Sequence, residues 1–372
     1  MVICEANIMT AYTYTFLSLR DEQIIEEIPL FGVFAQRVLN GPGQFNGTFQ
    51  LDQTGKNNAD LIAATNPGRT WLVMERISDD GVSTPIWWGM VWSRTYQSQS
   101  KTCQLYAWGF EAYPQKQMIL TDTKITGTHL QVFSTLWSNM QASANGRNIN
   151  VNIPIGVPAT DINVTVDILA TDYKHYITPM DNIANSVIGL DWTIQLTKQN
   201  NNTYRKDLVL GYPTLGQPYT GSIAFDYPGA ILNYYQTESM AESGTNIFGF
   251  GAGEGSEQIV SIFEWSDLIN IGFPRWDFEV SMKEVDNETT VTQKTQQEAI
   301  KRKPPMPVYV VSLKGNQDPI FGSYNIGDGA QLTIVDPLHP NGTIFNTRIV
   351  GWELNPQTAD QVEEVKLILP GD

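Results

Sequence analysis

Apolar and polar positions alternate with a period near two through the first part of the chain, which predicts strands joined by tight turns. Phe31 to Leu39 and Gln44 to Leu51 read as a hairpin. The turn between them, Asn40-Gly41-Pro42-Gly43, is expected to need positive φ at glycine. The alternation breaks at Asn57 to Ala64, where asparagines can cap, alanines favour helix and Asn66-Pro67-Gly68 provides a stop. It resumes over Thr70 to Arg76. In Ile86 to Trp92 it places Ile86, Trp88, Met90 and Trp92 on one face and Trp87, Gly89 and Val91 on the other. Both faces are apolar, so the strand is either sandwiched within a large domain or offers one face to another subunit. Trp87, Gly89 and Val91 are the candidate subunit-interface residues. A sugar-binding platform at Trp87 is the alternative, although strand tryptophans more often fill a core or an interface. Lys101 to Phe110 completes a second hairpin.

The period then changes. Val132, Phe133, Leu136, Trp137 and Met140 follow helical spacing, with Thr128 as the expected N-cap. A second helix is expected to begin at Pro179, with Met180, Ile183, Ala184 and Val187 on one face. Ile149 to Ile168 between them reads as extended chain, so residues 126–190 are expected to form an α+β insertion. Strand patterns return at Asp191 to Leu196, Leu208 to Gly211, Ala230 to Tyr235, Asn246 to Phe250 and Gln258 to Phe263. Residues 285–303 contain no aromatic side chain and suit a helix or a connector. The last block has strand patterns at Val308 to Ser312, Gln331 to Val335, Thr347 to Leu354 and Val362 to Leu369. Four blocks result: 1–125, 126–190, 191–285 and 286–372, the last a linker helix and a small β-barrel. No period of about 20 to 50 residues repeats, which argues against a solenoid.

Composition supports a folded protein of several domains: of 372 residues, 41% are hydrophobic, 11% aromatic and only 17% charged. The formal net charge of −16 disfavours stable binding to nucleic acid or to anionic membranes. No apolar run approaches the length that spans a bilayer, and no basic region precedes an apolar run at the N-terminus, so neither a transmembrane helix nor an export signal is expected. Cys4 and Cys103 lie far apart and suggest neither a disulfide framework nor a zinc site. Asn-x-Ser/Thr triplets at Asn46, Asn163, Asn201, Asn287 and Asn341 are expected by chance in a chain this rich in Asn and Thr.

Candidate chemistry is sparse. Gly249-Phe250-Gly251-Ala252-Gly253-Glu254-Gly255 invites comparison with a dinucleotide fingerprint, yet a strand-like Gln258 to Ile262 follows where a helix is needed, so a hairpin loop is the better reading. His129, His175 and His339 have no metal-ligand spacing. Asp161, Asp167 and Asp172 would have to pair for glycosidase chemistry, and neither a Gly-x-Ser-x-Gly elbow nor a Cys/His signature is present. Lys301-Arg302-Lys303 reads as a solvated helix end, or as a contact with an acidic neighbouring subunit. No catalytic, metal or cofactor site is therefore expected, and the chain reads as a non-enzyme.

Several segments together resemble a known family. Ala35-Gln36-Arg37-Val38-Leu39-Asn40-Gly41-Pro42-Gly43, Gly47-Thr48-Phe49-Gln50-Leu51, Asn66-Pro67-Gly68-Arg69-Thr70 and Ile86-Trp87-Trp88-Gly89-Met90-Val91-Trp92 are similar to the N-terminal part of minor tail proteins of long-tailed bacteriophages, which resemble the baseplate hub of contractile phages. Gly251-Ala252-Gly253-Glu254-Gly255, Tyr324-Asn325-Ile326-Gly327-Asp328-Gly329 and Arg348-Ile349-Val350-Gly351 fit as well. The resemblance implies a mainly β fold with an α+β insertion: tandem tube-like β-barrel hub domains and a small C-terminal β-barrel. It implies a virion protein at the distal tail tip, made in the host cytoplasm and assembled as a homotrimer that continues the tail tube. The implied partners are tail-tube and distal tail proteins, the tape-measure protein and receptor-binding or fibre proteins, with DNA passing during ejection without stable binding. Excess acid would then keep a lumen from holding phosphate. A distal tail adaptor, a carbohydrate-binding host-recognition protein and a cell-wall hydrolase are the alternatives.

Overall fold

The computed structural model describes residues 11–369 except 53–54, 79–80, 143–145, 155–156, 158–159, 161, 186–189, 284, 286, 305 and 357–362. Its first elements are β1 (Ala11–Ser18), β2 (Ile24–Glu27), β3 (Phe31–Val38), β4 (Gln44–Gln50), α1 (Asn58–Ala64), β5 (Thr70–Ile77), β6 (Ser83–Gln97) and β7 (Thr102–Trp108). The two expected hairpins form, as β3–β4 and β6–β7. Asn57 caps α1, its side chain accepting from the Ala59 N–H at 3.0 Å. One detail of the first turn is corrected: the positive φ belongs to Asn40, at +59°, and not to a glycine. Asparagine tolerates that conformation. Gly43 is needed for closeness instead, since a Cβ there would lie 2.1 Å from the Gln36 carbonyl oxygen.

The insertion follows as β8 (Thr123–Thr128), α2 (His129–Ala142), β9 (Val151–Asn152), β10 (Asn163–Ile168) and α3 (Ile177–Ala184). β8 and β10 pair antiparallel. The helical stripe Val132, Phe133, Leu136, Trp137 and Met140 is fully buried and shares one core with Trp71, Val73, Trp88 and Met90 of the first block and with Trp192. One apolar face of β6 thus belongs to the core that takes in the insertion. Thr128 does not cap α2: it ends β8, its hydroxyl is buried without a partner, and its N–H donates to the Gln131 side chain at 3.2 Å. Pro179 stands third in α3, where a missing N–H costs nothing. Val187 lies outside the described residues.

The remaining elements are β11 (Asp191–Lys198), β12 (Tyr204–Gly211), β13 (Ala224–Tyr227), β14 (Ile231–Ser239), β15 (Asn246–Phe250), β16 (Val260–Glu264), α4 (Ser266–Asn270), β17 (Asp277–Ser281), α5 (Glu288–Lys301), β18 (Met306–Lys314), β19 (Gly329–Ile334), β20 (Thr343–Arg348), β21 (Gly351–Asn355) and β22 (Glu364–Ile368). The fold is mainly β, in several sheets. The largest has β22, β21, β3, β4, β7, β6, β5, β1 and β2 as successive neighbours, while β11–β12–β9, β13–β19–β20 and β16–β15–β17 are separate three-stranded sheets. The single strand expected over Thr347 to Leu354 is two, because the backbone changes partners: Ile349 N–H donates to Asp328, whereas the Val350 carbonyl accepts from Leu39.

Packing groups the chain differently from the four sequence blocks. Two compact units emerge, one of residues up to Asn233 with Val311–Ile368, the other centred on Tyr234–Val310. The reason is long-range strand pairing: β21 lies antiparallel to β3, with Trp352 opposite Arg37 and Leu354 opposite Ala35, so the C-terminal block completes the sheet that the N-terminal block begins.

Candidate functional site

Trp87, Gly89 and Val91 all face the interior of this chain, and the expectation that they form a subunit interface is corrected. The Trp87 indole is fully buried, donates its Nε1–H to the Gln36 carbonyl at 2.9 Å, and packs 4.9 Å from the Phe45 ring. A Cβ on Gly89 would lie 2.3 Å from the Trp108 carbonyl oxygen and 2.6 Å from the Trp87 ring. Val91 is fully buried as well. With its ring enclosed, Trp87 offers no platform to a sugar.

The opposite face of β6 carries an internal clamp that local sequence did not reveal. The Arg37 guanidinium stacks 3.7 Å from the Trp88 ring centre, and its Nη2 donates to Thr193 Oγ1 and to the Ile194 carbonyl, each at 3.0 Å. Trp88 Nε1–H donates to the same carbonyl at 2.9 Å. Glu111 answers from the turn after β7, accepting from Thr193 Oγ1 at 2.9 Å and Ile194 N–H at 2.8 Å, with Arg37 4.0 Å away. Burial lowers the Arg37 pKa to about 10 against the opposing pull of Glu111, which leaves the guanidinium charged. β3, β6 and β11 are locked together by one cation, one carboxylate and one tryptophan.

Other buried charges act in the same way. Lys206 donates to Glu22 at 2.6 Å and sits 4.9 Å from the Trp71 ring centre and 4.7 Å from that of Phe110; burial lowers its pKa while Glu22 opposes the shift. Arg76 forms a two-pronged pair with Glu363, at 2.9 and 2.8 Å, and the Tyr12 hydroxyl donates to the same carboxylate. Asp191 accepts from Asn40 at 3.2 Å, from Leu215 N–H at 2.8 Å and from Arg348. The partners are separated by up to hundreds of positions, so no local motif announces them.

Among the described residues, those considered for chemistry do not converge. His129 is buried, with Nδ1 2.9 Å from Thr160 Oγ1 and its ring edge-on to Tyr212; burial holds its pKa below the ordinary value. His175 bridges to Met118, and His339 lies in a turn with Nδ1 3.1 Å from Thr343 Oγ1. Among the described residues, no three metal-ligating side chains come together. Asp167 pairs with Lys124 at 2.7 Å, Asp172 accepts from Leu169 N–H at 3.1 Å, and Asp161 lies outside the described residues. The Gly251–Gly255 segment is the β15–β16 hairpin loop, with Gly251 N–H donating to Ile259 at 2.7 Å. Arg302 pairs with Glu298 and Glu242 and stacks 4.0 Å from the Phe278 ring centre, while Lys303 pairs with Asp267 and lies 4.1 Å from that of Trp265. These two cations thus meet the acids of their own chain. Cys103 is buried, which pushes its thiol pKa up, and Cys4 lies outside the described residues.

Surface open to other chains lies elsewhere: Ile24 and Ile25 on the edge strand β2, nearby Phe31, and Val260 and Ile262 on β16. A pocket of about 320 Å³ beside Trp92 has Leu19, Pro67, Met90 and Lys116 in its wall. No helix among the described residues is long and apolar enough to cross a membrane.

No protein-family model and no curated protein matches the sequence. Solved structures do. The chain is similar to the 43 kDa tail protein of prophage MuSo2 from Shewanella oneidensis, with a TM-score of 0.59 at 11% identity over 97% of this chain and 99% of that one. It is similar to a tail protein from Neisseria meningitidis MC58, with a TM-score of 0.55 at 13% identity over 96% and 97%. Prophage tail protein gp18 from Listeria monocytogenes EGD-e gives 0.54 at 12% identity over 96% and 94%. The chain has the fold of these tail proteins.

Proposed function

We propose that this protein is a structural component of a phage tail, a hub at the distal tail tip that assembles as a homotrimeric ring and continues the tail tube. The observation that carries this reading is end-to-end similarity: nearly all of this chain superimposes on nearly all of each of three tail proteins, so no large part of the fold is left over for another task. In the proposed assembly each chain supplies two tube-like barrel modules, so that three chains meet a six-fold tube. The first comes from the sheet of β1–β7 and the second from strands beyond the insertion. Tail-tube and distal tail proteins, the tape-measure protein and receptor-binding parts are its neighbours. DNA passes through without being held, because the chain carries 39 acidic against 23 basic residues.

The internal clamps suit such a part. A ring that transmits a signal or resists pressure needs rigid protomers, and buried ion pairs joining distant strands are costly to break. Determining the mass of the assembled protein and imaging labelled virions test the reading. A trimer seen at the tail tip is expected. A stable monomer absent from virions, or a hexamer of the kind a distal adaptor forms, would overturn it.

A further inference from the structure

Within the Tyr234–Val310 unit, α5 covers one face of the β16–β15–β17 sheet, and the other leaves Val260 and Ile262 exposed beside half-buried Phe248 and Phe250. The covered side is closely packed: Val291, Thr295 and Ala299 of α5 are fully buried, and Gly249 lets Thr295 reach the strand backbone. Strand register defines the other side. Val260, Phe250 and Ser281 lie abreast, then Ile262, Phe248 and Glu279, then Glu264, Asn246 and Asp277. Ile262 is 58% exposed and Val260 44%, and Phe248 and Phe250 stack 6.3 Å apart between them and β17. An apolar stripe therefore grades into a carboxylate border.

Charge says what fits there. Residues 234–310 contain 12 acidic and six basic residues. Three of those cations are already engaged: Arg302 and Lys303 in the pairs described above, and Arg275, which pairs with Asp277 at 2.7 Å and lies 5.6 Å from the Phe248 ring centre at one end of this face. Glu279 remains beside Phe248, and among the described residues no cation is bonded to it. The patch spans three strands and about three paired positions, on the order of 150 Å² at ordinary strand spacings. A stable protein pair buries about 800 Å² per partner, so this face is too small to hold a second copy of the chain and suits a short segment.

We propose that this face docks a partner protein segment whose apolar stripe is bordered by lysine or arginine. The aliphatic and aromatic groups of the segment cover Val260, Ile262 and Phe250, while its cation reaches Glu279. The inference stands apart from the tail reading, since it rests only on this sheet and its charge.

The test uses the full chain and two photo-crosslinkable amphipathic peptides of the same leucine pattern, one bordered by lysine and one by glutamate. The lysine peptide is expected to bind, and to crosslink to β15 and β16. Ile262→Ser, at an exposed site that folding does not need, is expected to weaken binding about tenfold and Glu279→Lys about fivefold. Asp60→Lys, on α1, should change nothing. Equal binding of the glutamate peptide, crosslinks confined to other elements, or unchanged affinity of both face variants would overturn the proposal. So would Ile262→Ser abolishing a concentration-dependent self-association of the chain, which would assign the face to a second copy instead.

Discussion

Gly89 shows how one atom decides whether two strands can lie together. A methyl group there meets the Trp108 carbonyl and the Trp87 ring, both held by the surrounding sheet. Gly89→Ala is therefore expected to cost about 2–3 kcal/mol by overpacking, read as a lower urea midpoint with an unchanged slope. Gly41→Ala, whose added Cβ would lie 3.5 Å from Val38 Cγ2, serves as the near-neutral control. His129 makes a second prediction. Buried against Thr160 and the Tyr212 ring, it has a folded pKa below that of the unfolded chain, because burial disfavours the charged ring. Its contribution to stability is present above the unfolded value of about 6.5 and is lost as pH falls through the folded value. The melting temperature should drop between pH 7 and 5, and His129→Gln should reduce that drop. The burial of His129 was not legible in sequence, where a lone histidine beside a strand-to-helix junction carries no sign of its surroundings.

At the scale of elements, local pattern and long-range pairing part company. The hairpins, α1 with its Asn57 cap and the buried stripe of α2 follow from period and capping, because neighbours along the chain decide them. The Trp87 face of β6 was misread for the same reason. A doubly apolar strand says only that both faces are covered, and here Phe45 from β4 and the α2 core cover them. Equally hidden was the attachment of the C-terminal segment to β5 through Arg76 and Glu363, which are 287 residues apart. Burial raises the Glu363 pKa to about 8, so Arg76→Met leaves a buried, protonated acid without its two-pronged partner and should destabilise the fold by about 2–3 kcal/mol. The double variant Arg76→Met/Glu363→Gln should recover most of that loss in the same urea titration.

For the whole molecule, net charge governs association. A formal charge of −16 makes identical chains repel, and raising the salt concentration shortens the range of that repulsion to a few ångströms. Assembly of the proposed ring is therefore expected to increase between about 20 and 500 mM NaCl, followed by sedimentation. A loss of assembly over that range would show that ion pairs between subunits dominate.

The sequence by itself determined the mainly β character, the hairpins and the apolar stripe of α2, and a resemblance to phage tail proteins whose fold the chain shares. Each of these depends on residues near one another in the chain or on composition. Only the tertiary structure decided that β21 closes on β3, that Trp87, Gly89 and Val91 are interior, that Arg302 and Lys303 are spent on their own unit, and that Val260 and Ile262 of β16 stay exposed. The reason is physical: burial and ion pairing are settled by which distant segment arrives to cover a face, and the face carries no record of that segment in its own residues.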